Sequence, residues 1–266
     1  MCPKTTIMKR ESVIAMLAEV NEAKKEVSQA FGLLFSAKER LRHALGDRHN
    51  GLWSYKITDY NLQDEAADSI RYIDRNAWKS VVDRLQVREV VSVKKGEELD
   101  RQLQDGELPP LTETNVLSFM TNLFNDMDSL LEDSAREVFN WLRPEWRTRL
   151  KTNRKNTFGL TNKVIIVGGM NSNWMGGYPK EINYYRRKHF QALDNVFHLL
   201  DGKGVAKHPD DLVTQIAVAG RDGKACCETE YFRCNWYKNS NLHIEFRRPD
   251  LVTALNKLAG SGQLKG

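Results

Sequence analysis

Apolar residues from Lys9 to Leu45 recur three and four positions apart, at Val13, Met16, Leu17, Val20, Val27, Phe31, Leu34, Phe35, Leu41 and Leu45. Lys and Glu fill the other faces, so the stretch has the stripe of an amphipathic helix, with Gly46-Asp47 as a stop signal. Its length predicts either a helical arm or an antiparallel helical pair. The same period continues from Gln63 to Val87 through Ala66, Ile70, Ile73, Trp78, Val82 and Leu85. Leu108-Pro109-Pro110-Leu111 then breaks the chain, because proline lacks the N–H a helix needs. Thr112 and Thr114 are cap candidates for a further helix through Val116, Phe119, Met120, Leu123 and Phe124.

From Lys163 the period shortens. Lys163-Val164-Ile165-Ile166-Val167-Gly168-Gly169 is a β-branched run ending in glycines, the pattern of a buried strand. Gly176-Gly177 and Pro179 mark a loop, and Asn183 to Leu200 reads as a helix stopped by Asp201-Gly202. Pro209 marks another helix start, backed by Leu212, Val213 and Ile216. Glu230 to Lys238 and Asn241 to Arg247 alternate about Asn239-Ser240, which predicts a β-hairpin. A last amphipathic helix spans Pro249 to Leu258. The expected fold is α+β: a helical half over residues 1–150, then a compact α+β domain over 151–266 with the hairpin and flanking helices. The boundary falls between about Arg149 and Lys163.

Composition excludes several classes. Of 266 residues, 41% are hydrophobic and 28% charged, which is too apolar for a disordered chain. No apolar run approaches the ~20 residues of a membrane helix, and Met1 to Arg10 lacks a signal-peptide core. A cytoplasmic protein without a membrane partner is expected. Cys2, Cys226, Cys227 and Cys234 match neither a disulfide framework nor a zinc site, so free thiols, no metal and no cofactor are expected. A net charge of +5 hides a sharp division. Between Gly106 and Asn140 seven acids face one base, Arg136, whereas between Trp141 and Gln191 eleven bases face only Glu145 and Glu181. A basic middle of this kind suits a polyanion.

Four segments carry a resemblance. They are Lys163-Val164-Ile165-Ile166, Leu193-Asp194-Asn195-Val196-Phe197, Leu200-Asp201-Gly202-Lys203, and Lys238 to Phe246 with Arg248-Pro249-Asp250-Leu251-Val252. Together they resemble the DUF4942 domain family of plasmid and phage proteins over roughly residues 151–258. The resemblance implies a mobile-element setting beside adenine-type DNA methyltransferases and a DNA-related role, and it carries over no catalytic residue. The chain has no D/N-P-P-Y/F/W tetrapeptide, and Val167-Gly168-Gly169-Met170 lacks the spacing of a cofactor loop.

Two constellations could carry chemistry. On the helix from Asn183 to Leu200, Phe190, Leu193, Phe197 and Leu200 share the core face, and Arg187, Asp194 and His198 line its margin. They could supply an anion clamp, an acid and a base, or equally a structural ion pair beside a surface histidine. On the hairpin, His243, Glu245 and Arg247 project to one face. A two-residue turn would set Trp236 opposite His243 and Cys234 opposite Glu245. His198 and His243 could then act as acid and base on a phosphodiester, with Arg247, Lys203 or Lys238 on the charged transition state.

The other signals concern binding. Arg143, Arg147, Arg149, Arg154, Lys155, Tyr185, Arg186, Arg187, Lys203 and Lys238 are the candidate nucleic-acid contacts. Trp141, Trp146, Trp174, Tyr184 and Tyr185 are interleaved with the bases, as stacking would require. Pro209-Asp210-Asp211 is better explained by a helix dipole than by a metal, and the Arg42/His49 spacing by chance. Three readings follow: a nucleic-acid-binding accessory or defence or counter-defence protein of a mobile element, a metal-independent nuclease, or a protein-interaction regulator using the acidic segment 107–137. Oligomeric state is left open.

Overall fold

The computed structural model describes residues 10–45, 59–106, 108–143, 159–172 and 176–260. In chain order the helices of the first half are α1 (Arg10–Leu45), α2 (Asp59–Arg84), α3 (Val87–Val90), α4 (Val93–Asp105), α5 (Glu113–Asn125) and α6 (Met127–Leu142). Then come β1 (Lys163–Ile166), α7 (Arg187–Leu200), α8 (Leu212–Arg221), β2 (Cys226–Glu228), β3 (Phe232–Trp236), β4 (Leu242–Phe246) and α9 (Pro249–Gly260). The fold is α+β, with a helical first half and a four-stranded antiparallel sheet in the second. Among the described residues no helix is long and apolar enough to cross a membrane.

The described residues fall into two compact units. The described residues within 10–85 and 99–123 form a unit built of helices. The Lys9–Leu45 stripe becomes one helix of 36 residues rather than a pair, and α1 packs on α2. Val13 and Leu17 are buried, as are Trp78, Val81, Val82 and Leu85. Lys24 and Asp74 join the two helices by an ion pair at 2.6 Å. The proline break also acts as an anchor, since Trp78 Nε1 donates to the Pro109 carbonyl at 2.8 Å. Thr112 caps α5, its Oγ1 accepting from Asn115 N at 3.2 Å.

Residues 86–98 and 124–260 form the α+β unit. The boundary expected near residue 150 falls mostly in 144–158, outside the described residues. The acidic segment yields α6, whose Leu130, Ala135, Val138, Phe139 and Leu142 are buried while Asp128 and Glu132 face outward. Asp133 bonds Lys95 at 2.6 Å.

The sheet order is β1-β4-β3-β2, with every neighbour antiparallel. The run from Lys163 to Gly169 is thus an edge strand of four residues, not a strand buried among neighbours. Val164, Ile166, Phe232, Cys234, Trp236, Leu242, Ile244 and Phe246 are buried on one face. Helix α7 covers that face: the Phe197 ring stacks on Phe246 at 5.4 Å and meets Phe232 at 4.9 Å. Helices α6, α8 and α9 pack on α7 in turn.

The hairpin differs from expectation by one residue. Tyr237 N donates to Asn241 O, Ser240 N donates to Tyr237 O, and Ser240 has φ 63°. This is a three-residue loop whose last residue takes the left-handed conformation, not a two-residue turn. Trp236 therefore opposes Leu242, Cys234 opposes Ile244, Asn235 opposes His243 and Arg233 opposes Glu245. The physical reason is burial: a shift of one residue would put Trp236 on the polar face. On that outer face the register aligns Lys163, Glu245, Arg233 and Glu228 across all four strands, a row of alternating charge.

Candidate functional site

One end of the α+β unit carries four exposed tyrosines, Tyr178, Tyr184, Tyr185 and Tyr237. After β1 the chain reverses through Gly168, at φ 61°, and Gly169, where a Cβ would lie 2.9 Å from Leu242 Cβ. Only glycine fits the second of these positions without displacing β4. Four hydrogen bonds then tie this turn to its neighbours. Gly168 N donates to Asn241 Oδ1 at 3.3 Å and Met170 N to Ser240 O at 3.0 Å, which fixes the hairpin tip. Asn183 N donates to Gly169 O at 2.9 Å and its side chain to Gly168 O at 3.3 Å. Asn183 Oδ1 in turn accepts from Tyr185 N, capping a 3₁₀ turn over Tyr184–Arg186 that feeds into α7.

The result is one surface made of the hairpin tip, the 176–180 loop and the entry to α7. Tyr184 is 76% exposed and Tyr185 88%, with rings 5.7 Å apart and 81° from parallel. Tyr178 and Tyr237 are exposed as well, and Lys238 Nζ lies 5.7 Å from the Tyr178 ring centre. Arg186 is half-buried beside Gly168, with Nη1 enclosed and unbonded among the described residues. Its burial lowers the guanidinium pKa. Arg187 and Lys180 are exposed and have no acid partner among the described residues. Between 176 and 188 four bases, Lys180, Arg186, Arg187 and Lys188, stand against a single acid, Glu181.

The remaining basic candidates divide. Arg143 stacks its guanidinium 5.7 Å from the Phe139 ring. Arg147, Arg149, Arg154 and Lys155 lie outside the described residues, as do Trp146, Trp174, His49 and the side chain of Arg42. Trp141 faces inward, edge-on to Phe190 at 5.0 Å and stacked on His189. Lys188 pairs with Glu97 at 3.3 Å. Lys203 follows the far end of α7, roughly 20 Å along the helix from Arg187. There it is held by Asp201 at 3.0 Å and by Glu230. It is a bound cation, unlike the exposed Arg187 and Lys180 of the aromatic surface.

At that far end lies a cleft of about 410 Å³ lined by Asp194, His198, Asp210, Gln215, Glu228, Thr229, Glu230, Tyr231 and Arg247. Asp194 is buried rather than marginal, its side chain only 4% exposed. Its Oδ2 accepts from Leu212 N at 2.7 Å, the first N–H of α8, and Oδ1 lies 3.7 Å from His198 Nε2. Desolvation pushes the carboxyl up to about 7, while the Leu212 N–H works against that rise. Desolvation also lowers His198, opposed by Glu230. Tyr231 donates to Asp201 at 2.9 Å, and burial raises its phenol. Asp201 is drawn down to about 2, first by Lys203 and then by Tyr231 and Arg248. Beside Asp194, which burial keeps largely protonated below neutral pH, the lining carries the three acids Asp210, Glu228 and Glu230 against the one guanidinium of Arg247, a field that disfavours a phosphodiester.

The candidate catalytic set does not come together. Asp194, His198 and Arg247 share the cleft. His243 and Glu245 do not, because they point away from the sheet face that α7 covers. His198 and His243 are on opposite sides of the sheet. His243 instead packs against Tyr237, ring centres 4.6 Å apart and tilted by 55°, and burial lowers its pKa. Glu245 lies 3.9 Å from Arg233. Arg187 is seven residues from Asp194, about 10 Å along the helix, and cannot clamp a group bound there. Arg247 Nη1 donates to Thr229 O at 2.6 Å.

The sequence reading missed Tyr178 and Tyr237 on the aromatic surface, although each flanks a turn signal. It also missed Glu228, Glu230 and Tyr231 in the cleft, which lie at the end of β2 and in the β2–β3 connection and form no recognisable motif. Among the described residues no group of three His, Cys, Asp or Glu is placed to hold a metal ion. Pro209-Asp210-Asp211 serves the helix start, Asp211 capping α8 through Thr214 N at 2.9 Å.

No curated protein and no solved structure is detectably similar to the chain. A family model does match, described as a domain of unknown function (DUF4942), over residues 70–263. The match takes in the whole sheet and α3 to α9, and so starts well before the 151–258 region of the sequence resemblance. Covering most of the 266 residues, it makes this chain a member of the DUF4942 family.

Proposed function

We propose that this chain binds nucleic acid through the surface formed by the hairpin tip, the 176–180 loop and the entry to α7, as an accessory protein of a mobile genetic element. The observation that carries the reading is the convergence of Tyr178, Tyr184, Tyr185 and Tyr237 with Lys180, Arg186, Arg187 and Lys238: four hydrogen bonds tie the hairpin tip and the entry to α7 to the turn after β1, and the Lys238–Tyr178 contact brings in the 176–180 loop. Exposed rings offer faces for bases, and open cations offer phosphate contacts. Six of these eight side chains lie within a dozen residues of sequence, so the surface is built locally and held by the sheet edge.

The paired-histidine nuclease is not adopted, because the two imidazoles do not share a site and the cleft around His198 is rich in carboxylates. The acidic segment keeps exposed Asp126, Asp128 and Glu132, but Asp133 and Glu137 are spent on Lys95 and on Lys94 N. The binding test is fluorescence anisotropy with labelled oligonucleotides, comparing roughly 50 and 200 mM salt. Affinity should fall steeply between the two, since each phosphate contact releases condensed counterions. Binding that ignores salt, or is absent from DNA and RNA alike, refutes the proposal. Arg187→Gln and Lys238→Gln should each make the salt dependence shallower by close to one counterion.

A further inference from the structure

The same surface points to the form of nucleic acid it takes, an inference that rests on the binding reading above. We infer that the ligand is single-stranded, with bases stacked separately on Tyr184 and Tyr185.

Two observations separate this from duplex binding. The first is the angle between the rings. Bases in a duplex lie parallel, so adjacent bases of a continuous stack cannot both sit on faces that are 81° from parallel and 5.7 Å apart. A strand whose bases are unstacked can turn between the two platforms, because each base rotates independently about its backbone. The second is that, among the described residues, this end presents no groove reader. A major groove admits an α-helix or a two-stranded ribbon. Strands β3 and β4 do form a hairpin, but β2 pairs with one and β1 with the other, so the ribbon is enclosed in a four-stranded sheet. Helix α7 is enclosed in the same way by the sheet, α6, α8 and α9. What projects is a 3₁₀ turn of three residues and a hairpin tip, each carrying rings. These present stacking faces and no element of groove length.

The cations fit the same geometry. Arg186 and Arg187 follow the two tyrosines directly, and Lys238 lies against Tyr178 on the facing loop. A backbone running between these positions would meet a positive charge next to each ring. Because every base has a π face, such a site tolerates sequence and does not read it. DNA and RNA strands are both accepted by this chemistry.

The test measures anisotropy for the full chain against labelled mixed-sequence oligonucleotides of about 16 nucleotides, a length within the span one compact binding fold covers. Single-stranded DNA, single-stranded RNA and the matching DNA duplex are compared at one salt concentration. The expected result is single strands bound at least tenfold more tightly than duplex. Tyr184→Ala and Tyr185→Ala should each weaken single-strand binding between about five- and a hundredfold, the range that loss of one base–aromatic stack produces. Tyr184→Phe and Tyr185→Phe should restore it, because they keep the ring. Circular dichroism melting of the variants shows whether they remain folded. Duplex bound as tightly as single strands, or Ala variants that weaken both forms equally, overturns the single-strand inference and leaves the nucleic-acid reading standing. Failure to bind any of the three oligonucleotides overturns both.

Discussion

Replacing Asp194 by asparagine should make the protein more stable above neutral pH, although it removes a buried, hydrogen-bonded side chain. In the folded chain burial holds the carboxyl at about 7, against 3.8 for a solvated one. From pH 4 to pH 7 the unfolded chain has therefore released this proton while the folded chain still keeps it. Stability falls as pH rises through that window and levels off above it. A displacement of about three pH units, at ~1.4 kcal/mol for each, corresponds to a loss of about 4 kcal/mol. Asparagine is neutral throughout, has nearly the same shape, and keeps a carbonyl oxygen for the Leu212 N–H now bound at 2.7 Å. The variant should match the natural protein near pH 4 and exceed it by up to about 4 kcal/mol near pH 8. Urea unfolding at several pH values, followed by tryptophan emission, reads the difference directly. Titration of groups remote from Asp194 is common to both proteins and largely cancels in the comparison. A gap between the two that does not change from pH 4 to pH 8 would show that Asp194 ionises normally in the fold and that its burial is not the cause argued above. A carboxyl chemical-shift titration of Asp194 supplies the independent check.

Three further outcomes follow from packing. Gly220→Ala should destabilise the α+β unit by about 1–3 kcal/mol, because a Cβ there would run into the Lys180 carbonyl and the backbone would have to shift; thermal melting measures it. Ser240→Gly should stabilise by up to about 1 kcal/mol, since Ser240 sits at φ 63°, where glycine is unstrained; denaturant midpoints decide the sign. Phe197→Ala should cost about 3–5 kcal/mol, as its fully buried ring joins α7 to both Phe232 and Phe246, and equilibrium unfolding reports the loss.

Periodicity was sufficient to find α1, α2, α5, α7, α9 and strands β1, β3 and β4, because an apolar stripe has to be buried wherever the element packs; β2, three residues long, carries no such stripe. Thr112 and the Gly168-Gly169 turn were visible for a similar reason: caps and tight turns are satisfied by residues a few positions away. Alternation along β4 also placed His243 and Glu245 on the face opposite Leu242, Ile244 and Phe246. In the aromatic surface, Tyr184, Tyr185, Arg186 and Arg187 are contiguous, and that part could be read directly.

Partnership between distant segments was not legible. Ser240 adopts a left-handed conformation and lengthens the hairpin loop by one residue, which exchanges every cross-strand partner, and an Asn-Ser pair does not announce this. Asp194 could be placed on a helical face, but its depth depends on α8 delivering Leu212 N across a gap of eighteen residues. The two histidines illustrate the same limit. Each lies on an element whose local pattern is clear, yet whether they meet depends on which side of the sheet α7 packs, and that is settled by Phe197 against Phe232 and Phe246. Local sequence dictates which face of an element avoids water. Long-range packing dictates what that face touches, because the hydrophobic effect rewards burial without regard to the identity of the neighbour.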